Sequence, residues 1–275
     1  MALASSACWG VADFAGGLFS RRLPAAVVLL AQQIAGAVIC AALILGTAEA
    51  LPEGRTVWLS LLAGSAGALA LGAFYRALAL GTMSVVAPIS ASGVVVPVIV
   101  GIASGDRPTA LQAAAIPVIF AGVLLASREV HEHEERVGAA RTSILLALFA
   151  ALAFGVYFSI TDAVAEDSVL WLLLIGRGAA VALLAGFVVA RPPAVRPKPV
   201  DLLPLAAIGG LDLLATGLYA LATTEGLLSI VAVVGSLYPI ATVLLARAVL
   251  RERLRRGQQA GVALALVGVA AVAAG

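Results

Sequence analysis

A single carboxylate lies in the middle of an apolar run near the start of the chain. The run reads SACWGVADFAGG over residues 6–17, and its only charged residue is Asp13. Trp9 precedes Asp13 by four residues, so the two side chains share one face if the run is helical. A carboxylate in such a place can hold a cationic group of a substrate, exchange protons, or join two helices through an arginine. Arg76 and Arg177 are the possible partners, and the sequence leaves these roles open.

A second carboxylate begins a polar stripe later in the chain. Thr216, Tyr219 and Thr223 follow Asp212 at spacings of four, seven and eleven residues, which places all four on one face of a continuous helix. A polar stripe in an apolar run is expected to face inward. It would line a substrate path or hydrogen-bond to a neighbouring helix, and the pattern fits both alternatives.

Other aromatic, hydroxyl and basic side chains within apolar runs complete the set of substrate-binding or coupling candidates. A charge at the centre of a membrane costs about 2.5–3.5 kcal/mol on insertion scales, so such groups are expected to face a cavity. The candidates are Trp9, Asp13, Phe14, Tyr75, Arg76, Ser90, Tyr157, Asp212, Thr216, Tyr219 and Thr223.

Patterns typical of enzymes and metal sites are missing from the sequence. The apolar runs contain no histidine, and no G-x-S-x-G motif occurs. His131 and His133 lie in the charged stretch HEHEE, which favours a solvated linker over a metal site. Cys8 and Cys40 lie far apart in apolar runs and predict no disulfide. We therefore expect no catalytic residue, metal or cofactor, with proton coupling through a carboxylate left open.

The composition indicates which solvent surrounds these residues. Hydrophobic residues make up 62% of the chain and charged residues 12%, and the mean hydropathy is +1.10. Too few polar groups remain to cover a surface that faces water. The apolar runs are roughly 18–23 residues long, enough for a helix to cross about 30 Å of hydrocarbon. The runs do not alternate with polar residues as barrel strands would. An all-α integral membrane protein is predicted.

Charges, prolines and glycine clusters divide the chain into ten predicted transmembrane helices. A charged linker over residues 128–141 separates a first five-helix repeat, residues 1–127, from a second, residues 142–275. The predicted spans are 2–20, 24–46, 57–80, 84–104, 108–127, 142–163, 169–190, 201–224, 227–248 and 257–274.

The two halves are similar to each other in sequence. Residues 105–126 match residues 251–272 at an offset of 146, and Gly64 matches Gly209 at an offset of 145. Five spans per copy is an odd number, so the second copy must enter the membrane from the opposite side. The prediction is therefore two inverted repeats, an arrangement that suits alternating access around a site at the midplane.

Several motifs resemble those of the EamA-type transporters of the drug/metabolite transporter superfamily. They are WGVADF in the first span, FYRALALGTMSVVAPIS from residue 74, SGDRPTALQ from 104, YPIATVLLARAVLRERL from 238 and GQQAGVALALVGV near the end. The resemblance covers essentially the whole chain as two EamA-like repeats, and it implies transport of small metabolites. Gly93 stands where the family has a proline, and Pro97 lies one turn later, whereas the second copy has Pro239. Whether the fourth span bends like the ninth stays open.

The positive residues predict the orientation in the membrane. One side of the predicted topology collects twelve arginine and lysine residues, whereas the other has only Arg55 and Arg107. The rich side is expected to be cytoplasmic, which places both termini outside. The twelve are Arg21, Arg22, Arg128, Arg136, Arg141, Arg191, Arg196, Lys198, Arg251, Arg253, Arg255 and Arg256.

These observations predict a multi-pass secondary transporter in a bacterial-type cytoplasmic membrane. It would move a small metabolite, such as an amino acid or an amphipathic compound, by alternating access, and export is the favoured direction. The expected partners are this substrate and membrane lipids, with no nucleic acid, and the oligomeric state stays open. The alternative is an integral-membrane enzyme acting on a lipid or lipid-linked substrate, which the missing catalytic patterns disfavour.

Overall fold

A computed structural model describes residues 1–20, 22–80, 89–90, 92–126, 137–250 and 256–274. These residues form helices and short connections, with no strand among them. The helices are α1 (Ala2–Ser20), α2 (Ala25–Thr47), α3 (Gly54–Leu80), a 3-10 turn (Ser92–Val94), α4 (Val95–Ser104), α5 (Ala110–Ala126), α6 (Val137–Ala165), α7 (Val169–Ala190), α8 (Pro199–Glu225), α9 (Leu228–Gly235), α10 (Tyr238–Leu250) and α11 (Arg256–Ala274). Part of the predicted fourth span, the linker histidines His131 and His133, and the basic residues 251–255 lie outside the described residues.

The length and composition of the helices identify a membrane protein. Large apolar side chains cover much of the exterior, as at Leu45, 83% exposed, and Leu203, 80% exposed, which suits a surface in contact with lipid. In the described part of the chain, six segments are long and apolar enough to cross a membrane: Ala2–Ser20, Ala25–Thr47, Gly54–Ala77, Arg141–Ala165, Val169–Ala190 and Pro199–Glu225. Three shorter apolar helices are Ser92–Ser104, Ala110–Leu125 and Gln259–Val272.

The predicted ninth span, residues 227–248, is not one helix. It is divided into α9 and α10, with the break at Ser236 and Leu237. The break lies just before Pro239, whose ring would clash with the carbonyl group four residues earlier, on Gly235, if the helix continued. Gly235 is the last residue of α9.

A similar interruption occurs in the first half of the chain. The α-helical part of α4 begins only two residues before Pro97, and Gly93, four residues before this proline, belongs to the 3-10 turn. Each half therefore has its interruption in the few residues before a proline: the 3-10 turn Ser92–Val94 precedes Pro97, and the break at Ser236 and Leu237 precedes Pro239. The sequence left open whether the fourth span is interrupted like the ninth. Both are interrupted, but the proline that follows the interruption stands at a different aligned position in each half.

The helix contacts repeat when the two halves are exchanged. The helix α3 packs against α6 and α7, and its counterpart α8 packs against α1 and α2. The pairs α2 with α7 and α5 with α11 also pack together, and each joins a helix to its own counterpart, whereas α4 packs against α9 of the other repeat. The core of the molecule thus lies between the halves, and every one of these contacts crosses from one repeat to the other.

The contact between α5 and α11 shows this reciprocity at atomic detail. A Cβ atom built on Gly122 would lie 2.5 Å from the backbone nitrogen of Ala265. A Cβ atom built on Gly268 would lie 2.5 Å from Cγ1 of Ile119. Gly268 and Ala265 follow Gly122 and Ile119 by the same 146 residues. Each glycine therefore lets its helix approach the equivalent place on the other helix.

The buried faces of α2 and α7 match at an offset of 144 residues, one fewer than the sequence comparison suggested. This offset makes Gln33 the counterpart of Arg177. The buried residues that match are Val28, Leu29, Gln32, Gln33, Gly36 and Cys40 in α2 with Leu172, Leu173, Gly176, Arg177, Ala180 and Leu184 in α7.

Two polar contacts at the ends of the bundle are also counterparts of each other. In one, Nη2 of Arg22, between α1 and α2, lies 2.9 Å from Oδ1 of Asp201 in the first turn of α8. In the other, the Thr56 hydroxyl in the first turn of α3 donates a 2.6 Å hydrogen bond to Asp167, between α6 and α7. Asp167 and Asp201 follow Arg22 and Thr56 by 145 residues. We call them the Arg22 contact and the Asp167 contact.

Candidate functional site

A cavity lies between the two repeats. Its walls come from α1, α2, α3, α6, α7 and α8, and Tyr238 of α10 also reaches it. Its volume is about 100 Å³. Pockets for drug-sized ligands measure about 300–1,000 Å³. The space in this conformation therefore suits a small molecule.

One wall of the cavity is aromatic. The centroids of the Trp9 and Phe158 rings are 5.5 Å apart, and those of Tyr157 and Phe158 are 5.1 Å apart. Behind them, the Tyr219 ring lies 4.9 Å from Phe158 and 5.6 Å from Trp9. Aromatic rings at these separations form a rigid surface that can contact the apolar part of a ligand.

A buried arginine also lines the cavity. Arg177 of α7 is only 5% exposed. Its Nη2 atom lies 2.9 Å from Oδ2 of Asp212 on α8, and its Nη1 atom donates a 3.0 Å hydrogen bond to Oε1 of Gln33 on α2. A Cβ atom on Gly36 would lie 2.8 Å from the guanidinium carbon, so the glycine makes room for the charged group. The pairing with Asp212 compensates a charge that would otherwise be costly to bury.

One donor of this guanidinium group is not used by the protein. Nε of Arg177 is buried and has no hydrogen-bond partner among the described residues. A buried N–H group without an acceptor lowers stability by about 1–3 kcal/mol. This donor is thus a buried group that the described residues leave unsatisfied in this conformation.

Asp13 also lines the cavity, and it lies near enough to Asp212 for the two carboxylates to interact electrostatically. In the described part of the chain, the ion pairs join Arg22 to Asp201, Arg55 to Asp167 and Arg177 to Asp212, and none includes Asp13. Arg177, which the sequence offered as a partner of Asp13, is thus paired with Asp212.

Five predicted candidates are brought together at the cavity: Trp9, Asp13, Tyr157, Asp212 and Thr216. The Tyr157 side chain on α6 lies near that of Thr216 on α8, and the Thr216 hydroxyl donates a 3.0 Å hydrogen bond to the carbonyl of Asp212. Tyr75 lies outside the lining but close enough to Asp13 for an electrostatic interaction.

The other candidates lie away from the cavity. Tyr219 is 1% exposed and packs behind Trp9, and the Thr223 hydroxyl donates to the Ala220 carbonyl of its own helix. The Ser90 hydroxyl donates a 3.5 Å hydrogen bond to the carbonyl of Ala147. Phe14 is half-buried without lining the cavity, and Arg76 is exposed.

Most lining residues were missing from the sequence-based set, among them Gln33, Arg177 and Phe158. Gln33 could have been noticed, because the adjacent glutamines Gln32 and Gln33 interrupt an apolar run. Arg177 was considered as a charged residue within an apolar run and as a partner of Asp13, but it was not placed in that set. Phe158 gave no signal, since a phenylalanine in a membrane span is ordinary.

The charged residues of the cavity break the symmetry between the repeats. The counterpart of Arg177 is the neutral Gln33, at the offset of 144. At the offset of 145, Asp212 corresponds to Gly67 and Asp13 corresponds to Phe158. The helices of the two repeats are therefore arranged symmetrically, whereas each charged residue of the cavity occurs in one repeat only.

Comparison with known families agrees with this architecture. The model of the family described as "EamA-like transporter family" matches residues 1–128 and 141–274, as two copies. The chain belongs to the EamA-like transporter family. It is thus a multi-pass membrane transporter with two EamA repeats, and this membership argues against the enzyme alternative.

A solved structure is similar to this EamA transporter over nearly its full length. This structure, described only as "Crystal structure of protein", has a TM-score of 0.81 and 16% sequence identity, and the match covers 98% of this chain and 94% of that one. At this identity the likeness shows the fold alone. A search of curated proteins finds no match.

Proposed function

We propose that this EamA transporter exports a small metabolite across the cytoplasmic membrane by alternating access. The observation that carries the proposal is the cavity between the repeats, which is lined by Asp13, Arg177 and Asp212 in mostly apolar surroundings. Charged groups inside a membrane protein are costly, so the few that occur face a cavity or pair with one another and commonly mark a substrate or ion path.

An inverted arrangement of ten spans is supported by the contacts at the ends of the bundle. The helices α2 and α7, of 23 and 22 residues, are each long enough to cross the membrane. The α1–α2 connection and the start of α3 must then lie on opposite faces, as must the α6–α7 connection and the start of α8. The Arg22 contact joins the α1–α2 connection to the start of α8, and the Asp167 contact joins the α6–α7 connection to the start of α3. Equivalent connections of the two repeats thus lie on opposite faces.

Alternating access fits this arrangement. Both contacts are formed in this conformation, so opening to one face would require the contact at that face to break while the contact at the other face persists. The cavity between them would then open to one side at a time.

Proton exchange at Asp13 would give the transport its direction. A carboxylate that holds either a proton or a cationic group of the substrate couples the two in opposite directions. The proton gradient of a bacterial cytoplasmic membrane points inward, so such an exchange would drive the substrate outward. Both termini would lie outside, because the basic residues collect on the opposite, cytoplasmic side.

Reconstitution in proteoliposomes tests the proposal. The vesicles are loaded with a mixture of small metabolites, and the outside is made acidic relative to the lumen. We expect at least one metabolite to leave faster than from protein-free vesicles and to leave more slowly when the pH gradient is dissipated. If no metabolite leaves faster under any gradient, transport is wrong. If a lipid in the vesicles is chemically converted instead, the enzyme alternative is right.

A further inference from the structure

We propose that Asp106 is a positioning residue for transport, because its carboxylate ties the first turn of α9 in the second repeat to the end of α4 in the first. The tie is formed while the cavity is closed at this face and breaks when the cavity opens there. This inference rests on alternating access between the repeats, which is the proposed function. It is carried by the contact itself, by two glycines that make room for it, and by the course of α9 towards the cavity.

The contact joins the carboxylate of Asp106 to the start of α9, and we call it the Asp106 contact. Oδ2 of Asp106 accepts a 2.8 Å hydrogen bond from the backbone N–H group of Ser229. The residue before α9 is Leu227, whose side chain cannot accept such a bond, so α9 has no cap from its own segment. A carboxylate at this end of a helix also interacts favourably with the helix dipole. Ser229 is fully buried, so removing Asp106 leaves its N–H group without an acceptor, at a cost in stability.

Two glycines in the first repeat bring Asp106 to this position. Gly105 follows α4 with a φ of +115°, a left-handed conformation that favours glycine. The chain therefore turns back, and the N–H group of Asp106 donates a 2.9 Å hydrogen bond to the carbonyl of Gly101. A Cβ atom on Gly101 would overlap Oδ2 of Asp106 and lie 2.9 Å from the nitrogen of Ser229. The absence of a side chain at Gly101 thus lets the end of α4, the carboxylate and the start of α9 meet.

The Asp106 contact lies at the same end of the bundle as the Asp167 contact. Asp106 is near enough to Asp162 of α6 for the two carboxylates to interact electrostatically, and Asp162 precedes Asp167 by five residues. The repeats are therefore joined twice at this end, once at the start of α3 and once at the start of α9. In the predicted topology this end is the outer face.

The other end of α9 lies behind the aromatic wall of the cavity. A Cβ atom on Gly235, the last residue of α9, would lie 3.3 Å from the ring of Tyr219 and 3.9 Å from that of Trp9. Tyr238, which follows the break after α9, lines the cavity itself. The eight residues of α9 span only about 12 Å, and so short a helix moves as one body. Movement of its first turn away from Asp106 therefore also shifts residues that pack against the cavity wall.

A thiol in the cavity reports the effect without knowledge of the substrate. Thr216→Cys, in a background of Cys8→Ala and Cys40→Ala, is labelled from each side with a membrane-impermeant thiol reagent in vesicles of known orientation. Asp106→Ala should raise labelling about tenfold from the face of the Asp106 contact and not from the other face, because the closed conformation then contains an unsatisfied N–H group. Asp106→Asn keeps a neutral acceptor and should raise labelling from the same face about threefold. Arg107→Gln removes an exposed charge at the next position and is the matched control, which should change neither.

A purely structural role of Asp106 predicts a different result. Loss of packing would lower the midpoint of thermal unfolding and raise labelling equally from both sides. Such an equal rise, or unchanged labelling in a folded Asp106→Ala protein, would overturn the inference. If Asp106→Ala does not fold, Asp106→Asn decides the question, and unchanged labelling in that variant would overturn the inference as well.

The result also separates this inference from the proposed function. If Arg22→Gln and Asp167→Asn shift labelling to opposite sides while Asp106→Ala leaves it unchanged, alternating access stands and the role of Asp106 is wrong. If Asp106→Ala shifts labelling as expected but proteoliposomes move no metabolite, the Asp106 contact stands and transport is wrong.

Discussion

The ring of Tyr157 occupies the space that a side chain at Gly67 would fill. A Cβ atom on Gly67 would lie 3.2 Å from Cδ2 of Tyr157. Gly67 is the counterpart of Asp212, so the same place in the two repeats supplies a carboxylate on one side of the cavity and room for a tyrosine on the other. The cavity therefore owes its shape in part to the missing side chain at Gly67, which leaves room for the ring of Tyr157.

Gly67→Ala is expected to reduce transport while the protein still folds. The added methyl group forces the Tyr157 ring to move by a few tenths of an ångström into the cavity, and Gly67→Leu should abolish transport altogether. Initial rates in proteoliposomes measure the effect. The control is Gly72→Ala on the same helix, where a Cβ atom meets nothing within 4 Å. Equal rates for Gly67→Leu and Gly72→Ala would contradict the role of this space.

Gly64→Ala and Gly209→Ala are each expected to destabilise the protein. A Cβ atom on Gly64 overlaps the backbone of Gly176, and a Cβ atom on Gly209 overlaps the backbone of Gln32, so each change separates two helices from different repeats. Overpacking of this kind costs about 1–3 kcal/mol. The midpoint of thermal unfolding in detergent should fall for both variants and not for Gly72→Ala. A fall for only one of the two would show that the equivalent contacts are not equally important.

The Arg22 and Asp167 contacts are expected to favour closure of opposite faces. In a background of Cys8→Ala and Cys40→Ala, Thr216→Cys places a thiol in the cavity, where substrate should protect it from a membrane-impermeant thiol reagent. Arg22→Gln should raise labelling from the cytoplasmic side, and Asp167→Asn should raise it from the outer side. Partly exposed contacts contribute about 0.5–1 kcal/mol, so the expected change is about two- to fivefold.

The exposed Arg196 between α7 and α8 provides the control for this experiment, because Arg196→Gln removes a charge on the same predicted face. Labelling that rises from the same side for Arg22→Gln and Asp167→Asn would contradict two opposite gates. A thiol at position 216 that never reacts would place the polar face of α8 in a helix interface.

Both termini are expected to face away from the cytoplasm. Alkaline phosphatase fused after Gly275 should be active, and a fluorescent protein fused there should stay dark if it is exported unfolded. The physical reason is the collection of basic residues on the other side of the predicted topology. Bright fluorescence without phosphatase activity would mean that a span has been miscounted.

Asp13→Asn is expected to uncouple the transporter. Asparagine keeps the size of the side chain and part of its hydrogen bonding but cannot exchange a proton. Transport driven by a proton gradient should be lost, whereas exchange of labelled for unlabelled substrate across the membrane should persist. Driven transport with an unchanged dependence on pH would rule out the coupling role. A variant that fails to assemble would show that Asp13 holds the helices together.

The sequence predicted the helical membrane fold and the similarity of the two halves, because both depend on patterns that recur along the chain. It could not supply the register of α2 against α7, since no shared glycine marks an equivalent place in these spans. The hydrogen bond between Gln33 and Arg177 therefore went unnoticed, although both are polar residues in apolar runs.

Only part of the candidate site could be predicted from the sequence. Spacing places Asp212, Thr216, Tyr219 and Thr223 on one helix face, but it does not say where along the helix the cavity ends. The cavity includes the first two, whereas the aromatic ring of Trp9 covers Tyr219. A helix needs about 20 residues to cross the hydrocarbon, and α3 has 27. Its last turns can therefore reach the membrane surface, where the exposed side chain of Arg76 can contact water or lipid head groups.

The reciprocal contact of α5 with α11 has a mechanical consequence. When the two repeats exchange conformations, points on the pseudo-twofold axis that relates them do not move. Two equivalent helices that contact each other through equivalent residues lie on that axis. Gly122 and Gly268 would then mark a stationary hub around which the other helices rearrange. Changes at the hub should alter how much transporter the cell accumulates and leave the turnover of each assembled molecule unaffected.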